Sequence, residues 1–320
     1  MRVTFLGTAA ARPTVSRNVS SLVIEREGEM LMFDCGEGTQ RQMMRYGTGF
    51  SFNDIFFSHL HADHFLGVIG LLRTLGLQGR EEPVDLWSPR GTQNVLRQAV
   101  ELGIERVPFE VRYHEMDPGQ TVEREAYFIL AFRTNHGGRS LGYAVIEHER
   151  LGRFDPDRAR ELGIPEGPLW GRLHRGEPVE VEGRTITPED LVGRPRPGRR
   201  IVYTGDTRPA TVTRQVAEGA DLLIHEATFA EEEAERAQAT GHSTARDAAE
   251  VARDAEVLQL ALTHLSPRYA DDPRLLEREA RAVFPKTITA FDGLVIEVPH
   301  RKEEDRGELP GRAAAQRGSS

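Results

Sequence analysis

The chain has a single cysteine, Cys35. An internal disulfide is therefore excluded, and this usage fits a reducing cytosol, so the expected compartment is the cytoplasm. Standing just after the apolar stretch Met30-Leu31-Met32-Phe33, Cys35 reads as buried packing. No apolar run approaches the ~20 residues that a membrane helix needs. Val3-Thr4-Phe5-Leu6 followed by Ala9-Ala10-Ala11 imitates a signal peptide, but the apolar stretch is too short and reads as a strand and a loop. Positive charge is also in deficit, with 41 Lys and Arg against 50 Asp and Glu, a net charge of −9. That argues against a generic nucleic-acid coat. It does not argue against a nuclease, whose local field is set by patches and bound metal. With 320 residues, 38% hydrophobic and 28% charged, the chain can build one large α/β domain or two average ones.

What is present is concentrated chemistry. His59-Leu60-His61-Ala62-Asp63-His64 places three imidazoles and a carboxylate within six residues. Asp54-Ile55-Phe56-Phe57 reads as a buried strand, and the apolar spacing from Phe65 to Leu72 reads as a helix, so the cluster sits on a strand-to-helix turn. In an extended segment His59 and His61 point the same way, whereas Asp63 and His64, where the chain turns, face a second point nearby. Neutral imidazoles with a carboxylate suit Zn²⁺ or a similar ion. Two sub-pairs suggest two metals, ~3.5–4 Å apart, an arrangement that clamps the attacking and leaving oxygens of a hydrolysis. One such histidine would read as solvated or capping; this spacing reads as ligation.

Further strands are expected over residues 2–6, 20–24, 29–33, 84–87, 107–114, 121–132, 201–204, 257–262 and 294–298, and helices over 91–102 and 273–284. Several loops at strand ends carry reactive groups. His136 lies in a polar turn; alone it would read as a surface histidine, but an open metal site demands a third imidazole. Asp206 follows a buried strand and is placed to reach a metal, where one carboxylate can bridge two. His225-Glu226 ends the next strand. His242 precedes a helix with Ser243 or Thr244 as N-cap and Asp247 in its first turn. His264 and Arg268 share a later loop of the same kind. Between 151 and 200 proline and glycine become dense and no long periodic run appears; loops this long are functional or disordered. Arginine clusters, Arg172-His174-Arg175 and Arg194-Arg196-Arg199-Arg200, flank its acidic middle. Residues 301–320 lack apolar anchors and read as a disordered tail.

The His59–His64 motif resembles that of the metallo-β-lactamase superfamily. The surrounding text, from Phe5-Leu6-Gly7-Thr8 to Phe291-Asp292-Gly293, is similar to the ribonuclease Z family of tRNA 3′-processing endonucleases. The resemblance, with strand–loop–ligand units in both halves, implies an α/β fold: an αββα sandwich of two mixed β-sheets flanked by helices. Residues 1–300 would form a single domain with a flexible arm inserted at about 151–200. It implies two Zn²⁺ per chain, one on His59, His61 and His136, the other on Asp63, His64 and His264, with Asp206 bridging. The implied activity is removal of the 3′ trailer from precursor tRNA, leaving a 3′-hydroxyl. Asp63 would orient the attacking water, and His242, its ring fixed by Glu226, would protonate the leaving oxygen. Arg17 and Asn18 match, with Pro13, a family loop used in tRNA discrimination, while Ser16 stands where lysine is usual. Gly167-Pro168 matches the arm motif that grips the tRNA elbow, and Arg268 is a candidate phosphate clamp. A homodimer is implied, with no membrane partner. The rival readings are a lactonase, thioesterase or small phosphodiesterase on the same ligands, and a non-catalytic RNA-binding relative, which would be expected to lose ligands.

Overall fold

The computed structural model describes residues 1–301. Short strands, the central ones largely buried, build two seven-stranded sheets. In the first, the spatial order is Val295–Glu297, Arg2–Gly7, Ser21–Arg26, Glu29–Phe33, Phe52–Phe56, Val84–Pro89 and Val111–Met116. The hairpin within it turns at Glu27 (φ 49°) and Gly28 (φ 89°), the positive pair that matches the twist of two antiparallel strands. From Glu29–Phe33 onward the pairing is parallel, which requires crossovers. The helices Thr39–Tyr46, Gly67–Leu77 and Gln93–Val100 supply them, the last two burying Val68, Leu71, Leu72, Leu75 and Leu96 against Ile55, Phe57, Val84 and Leu86.

The second sheet runs Thr287–Thr289, Leu260–Thr263, Leu222–Glu226, Arg200–Tyr203, Leu141–Glu147, Tyr127–Arg133 and Thr121–Glu123. Its first four strands are parallel, with the helices Thr211–Ala217, Ala245–Asp254 and Arg274–Val283 between or after them. Phe33 and Phe56 from one sheet meet Tyr143 and Tyr203 from the other, with ring centroids 5.4–6.2 Å apart. Tyr143 Oη donates to Phe57 O at 2.7 Å. The result is the αββα sandwich of two mixed sheets flanked by helices.

Four expected strands are shorter than the sequence pattern; the one over 294–298 keeps only Val295–Glu297. The one over 107–114 begins only at Val111, since Pro108 has no N–H to give a ladder. The run over 121–132 is broken by a turn that Arg124 N–H closes on Tyr127 O at 2.9 Å. The run over 257–262 starts at Leu260, after Val257 N–H has bonded back to Ala252 O.

The chain divides into two compact units, the second comprising 124–128 and 146–198. The irregular segment of the sequence is folded there. Helices Pro156–Glu161 and Pro168–His174 and a hairpin, Val179–Val181 with Arg184–Ile186, enclose a small core of Ala159, Ile164, Leu173, Val179, Ile186 and Leu191. Phe154, Leu169 and Trp170 pack against it. Asp155 caps the first helix by accepting from Asp157 and Arg158 N–H, and Pro168 at the start of the second needs no N–H partner. Arg150 and Arg196 exchange two backbone bonds of 2.8 Å at the base of this unit. The tail expected over 301–320 lies outside the described residues except for Arg301, which Asp221 holds at 2.7 Å.

Candidate metal centre

Most of the reactive side chains leave the end of a strand, while His242 stands between helices Ala234–Thr240 and Ala245–Asp254. The His59–His64 loop follows Phe52–Phe56, Asp206 follows Arg200–Tyr203, Glu226 ends Leu222–Glu226, and His264 follows Leu260–Thr263. Two close approaches fix the loops. A Cβ on Gly67 would lie 1.9 Å from Gly36 O, so helix Gly67–Leu77 can start only if that residue is glycine. Gly205 (φ 58°) leaves 2.6 Å between an added Cβ and Ser58, which lets the Asp206 loop close on the histidine loop. Asp34 and His264 themselves adopt left-handed φ of 55°, an unusual conformation that aims their side chains inward.

The donors fall into two groups. His59 Nε2 and His136 Nε2 lie 2.9 and 3.2 Å from His61 Nδ1, with Asp206 Oδ2 3.6 Å from His59 and 3.8 Å from His136. His64 Nε2 and His264 Nε2 are 3.3 Å apart, and Asp63 Oδ2 is 3.6 and 3.4 Å from them. Asp206 Oδ1 faces this second group at 3.4 and 3.3 Å. Its two oxygens are thus divided between the groups.

The surroundings test whether a metal fits. Four rings have the outer nitrogen occupied: His59 Nδ1 by Ser58 Oγ (3.0 Å), His64 Nδ1 by Asp34 (2.8 Å), His136 Nδ1 by Gly241 O (2.8 Å) and His264 Nδ1 by Thr228 Oγ1 (2.9 Å). Such bonds leave Nε2 as a lone pair aimed inward. Asp206 Oδ1 is buried with no hydrogen-bond donor. Donors on a tetrahedral zinc with bonds of ~2.0–2.1 Å stand ~3.3 Å apart. Both groups fit. Burial, then the repulsion of neighbouring imidazoles, keeps His59 and His61 below their ordinary pKa, in the neutral form that ligates. Burial works against charge on His64 too, but Asp206 and Asp34 outweigh it and raise that ring well above its usual value. A cation there supplies the charge those carboxylates draw. Burial would likewise push Asp63 and Asp206 up, yet His264 and His64 hold both below the usual carboxylate range.

Glu226 and His242 form a separate pair. Glu226, fully buried, accepts His242 Nδ1–H and Thr207 N–H at 2.8 Å through Oε1, and Thr228 Oγ1–H and Ser243 N–H at 2.6 and 3.1 Å through Oε2. Burial lowers His242, but Glu226 and then Asp206 raise it to about 9. The cap expected at Ser243 or Thr244 is Thr244, which with Asp247 forms a complete capping box behind this histidine.

The proposed RNA-contacting residues sit differently. Arg17, assigned to substrate from the sequence, is turned inward: its NH1 donates to Thr8 Oγ1 and Ala290 O at 2.6 and 2.7 Å. Asn18 contributes its N–H to Asp292 at 2.6 Å. In the family order Pro-x-Lys-x-Arg-Asn, counting from Pro13 to Arg17 puts the lysine position at Val15 rather than Ser16; Val15 is fully exposed. Arg268 lies over the Phe229 ring at 5.2 Å and is paired with Glu233 at the rim of the site cavity. Gly167 and Pro168 open a helix in the second unit. Asp34 accepts from Ser58 N–H and Oγ–H, Tyr203 Oη–H and His64. Ser58 and Thr228 were not singled out; their one signal is adjacency to His59 and Glu226.

Two sheets with ligand loops gathered at strand ends define a metallo-β-lactamase fold. Residues 183–265 match the beta-lactamase superfamily domain, and residues 1–146 the anti-Pycsar protein Apyc1 family. The solved structure of human tRNase Z, short form, is similar with a TM-score of 0.68 and 29% identity, covering 93% of this chain and all of that one. Ribonuclease Z of Gemmatimonas aurantiaca is 60% identical over 94% of this chain and 97% of its own length. That of Haloferax volcanii is 51% identical over 97% and 99%. The chain belongs to the ribonuclease Z family.

Proposed function

We propose that this protein is a zinc-dependent endoribonuclease that removes the 3′ trailer from precursor tRNA and leaves a 3′-hydroxyl. The observation that carries the reading is the division of the Asp206 oxygens between two donor groups beside a buried Glu226–His242 pair. His59, His61, His136 and Asp206 would hold one Zn²⁺; Asp63, His64, His264 and Asp206 would hold the second. Bound there, the ions supply the Lewis acidity and positive charge that phosphodiester hydrolysis needs.

The chain's own residues do the rest. Asp63 Oδ2, fixed by Ala11 N–H at 2.7 Å, faces the site and orients the attacking water. His242 keeps a proton because Glu226 is held in place by four donors besides the ring. That proton passes to the leaving 3′ oxygen. The cavity, about 220 Å³, is lined by His61, Asp63, Asp206, His242, His264 and Arg268. It is smaller than the ~300–1,000 Å³ that encloses a whole small ligand, and suits one linkage of a polymer. Arg268 at its rim would meet a flanking phosphate, and the second unit, with Gly167-Pro168 and its arginines, would bind tRNA. A homodimer acting in the cytoplasm completes the reading, on family resemblance. Among the described residues no helix is long and apolar enough to cross a membrane.

The test is incubation of purified protein with a 3′-extended tRNA precursor and mapping of the product ends. Cleavage after the discriminator nucleotide with a 3′-hydroxyl is expected. An intact precursor together with hydrolysis of small phosphodiesters or lactones would replace this reading with the rival one.

A further inference from the structure

Residues Thr8 to Asn18 form a strap between the first two strands. Its ends are tied together, Thr8 and Ala9 N–H both donating to Asn18 O at 2.9 and 2.8 Å. Both ends are also tied to one distant carboxylate: Thr8 Oγ1 donates to Asp292 Oδ1 at 2.8 Å and Asn18 N–H to Asp292 Oδ2 at 2.6 Å. Gln42 Nε2 adds a third donor to Oδ2 at 2.7 Å. The turn that carries Asp292 is itself fixed. Gly293 N–H donates to Phe5 O at 2.7 Å, and a Cβ at Gly293 (φ 87°) would lie 2.3 Å from the Tyr46 ring.

The strap reaches the second donor group at two points. Leu265, next to His264, donates to Thr8 O at 2.8 Å and accepts Ala10 N–H at 2.9 Å. Ala11, at φ 61°, turns its N–H onto Asp63 Oδ2, the oxygen that faces His64 and His264. A carboxylate rotates broadly about its last torsion, so a fixed donor on one oxygen selects its orientation. Asp63 comes from the first half of the chain and His264 from the second, and the strap braces both.

We propose that Asp292 is a positioning residue for the metal centre: by holding both ends of the strap it keeps Ala11 N–H on Asp63 and Leu265 beside His264. It touches neither substrate nor the donor groups. The inference rests on the two-site metal reading given above, and Co²⁺ alone serves as the probe. Loss of a hydrogen bond that orients a ligand costs about 10–100-fold in metal affinity or activity.

The experiment is Co²⁺ titration of the metal-stripped full chain, followed by its visible spectrum, with bis(p-nitrophenyl) phosphate turnover measured in parallel. In Asp292→Ala the second Co²⁺ is expected to bind about 10–100-fold more weakly while the first binds as before, and kcat should fall with little change in KM. Replacing Ala11 by lactic acid, which turns its N–H into an ester oxygen, should reproduce the defect without touching Asp292, and so tests the link even if Asp292→Ala does not fold. Asp292→Asn can direct its oxygen to Asn18 and its amide to Thr8 Oγ1, and should retain binding. Wild-type Co²⁺ affinities in both Asp292→Ala and the ester variant, with at most a lower melting temperature, would overturn the proposal. Fewer than two Co²⁺ on the unaltered protein would instead refute the two-site reading.

Discussion

Glu226→Gln is isosteric, yet it should disable the proton donor. In either orientation the new amide meets a backbone N–H, of Thr207 on one side or of Ser243 on the other, so one buried contact becomes donor against donor. The charge on His242 loses its partner as well. Raising that ring from 6.5 to about 9 is worth about 3 kcal/mol in favour of the protonated form. A group with a raised pKa donates its proton below that pKa and loses it as pH rises through it. Removing Glu226 should therefore move the alkaline fall of kcat to lower pH. Bound divalent ions oppose the rise in both proteins, so the displacement between them is the quantity expected. His242→Ala should slow cleavage by about 10²–10⁴ below the pKa of His242, the usual worth of acid–base catalysis. The double variant should be no slower than His242→Ala, because the two residues act as one unit. The assay is single-turnover cleavage of a labelled precursor tRNA from pH 6 to 9, with zinc content measured alongside. Additive losses in the double variant, or loss of zinc from His242→Ala, would refute the reasoning.

Carefully metal-replete protein should carry about two zinc ions per chain by elemental analysis, and Asp206→Ala should lose both sites together. Replacing residues 153–192 by a short Gly/Ser linker should raise KM for precursor tRNA and flatten its salt dependence, while bis(p-nitrophenyl) phosphate hydrolysis persists. Gly152 and Gly193 approach closely enough for such a splice, a Cβ on Gly152 lying 1.7 Å from Gly193 O. Thr244→Ala removes the cap behind His242 and should cost about 1 kcal/mol, read as a lower thermal midpoint with zinc retained.

The candidate metal donors that the structure gathers are legible in the sequence because ligand chemistry outweighs position. Three imidazoles and a carboxylate in six residues admit few other uses, and Asp206 and His264 follow apolar strands short enough to recognise. The Thr244 cap was legible because a capping box is local. What escaped is whatever depends on distance along the chain. Asp34 meets Tyr203 across 169 residues, and Asp292 meets Thr8 across 284, pairings that no window of sequence displays. Arg17 has the composition of an RNA contact, but its direction is decided by Thr8 and Ala290. Thr287–Thr289 is a three-residue strand, too short to show alternation. The second unit hid its order for a similar reason: its helices are six and seven residues long, and its core takes only one or two side chains from each segment.

The division of the donors between the two halves of the chain also sets an order in time. A growing polypeptide that has reached residue 205 carries five histidine and aspartate donors of the two groups, yet it lacks the carboxylate common to both. The second group waits for His264, and the Asp292 tie for a further turn of chain. On the two-site reading, occupation of both groups would require the finished fold. A partly made chain surrounded by RNA on the ribosome has no complete centre with which to cut it.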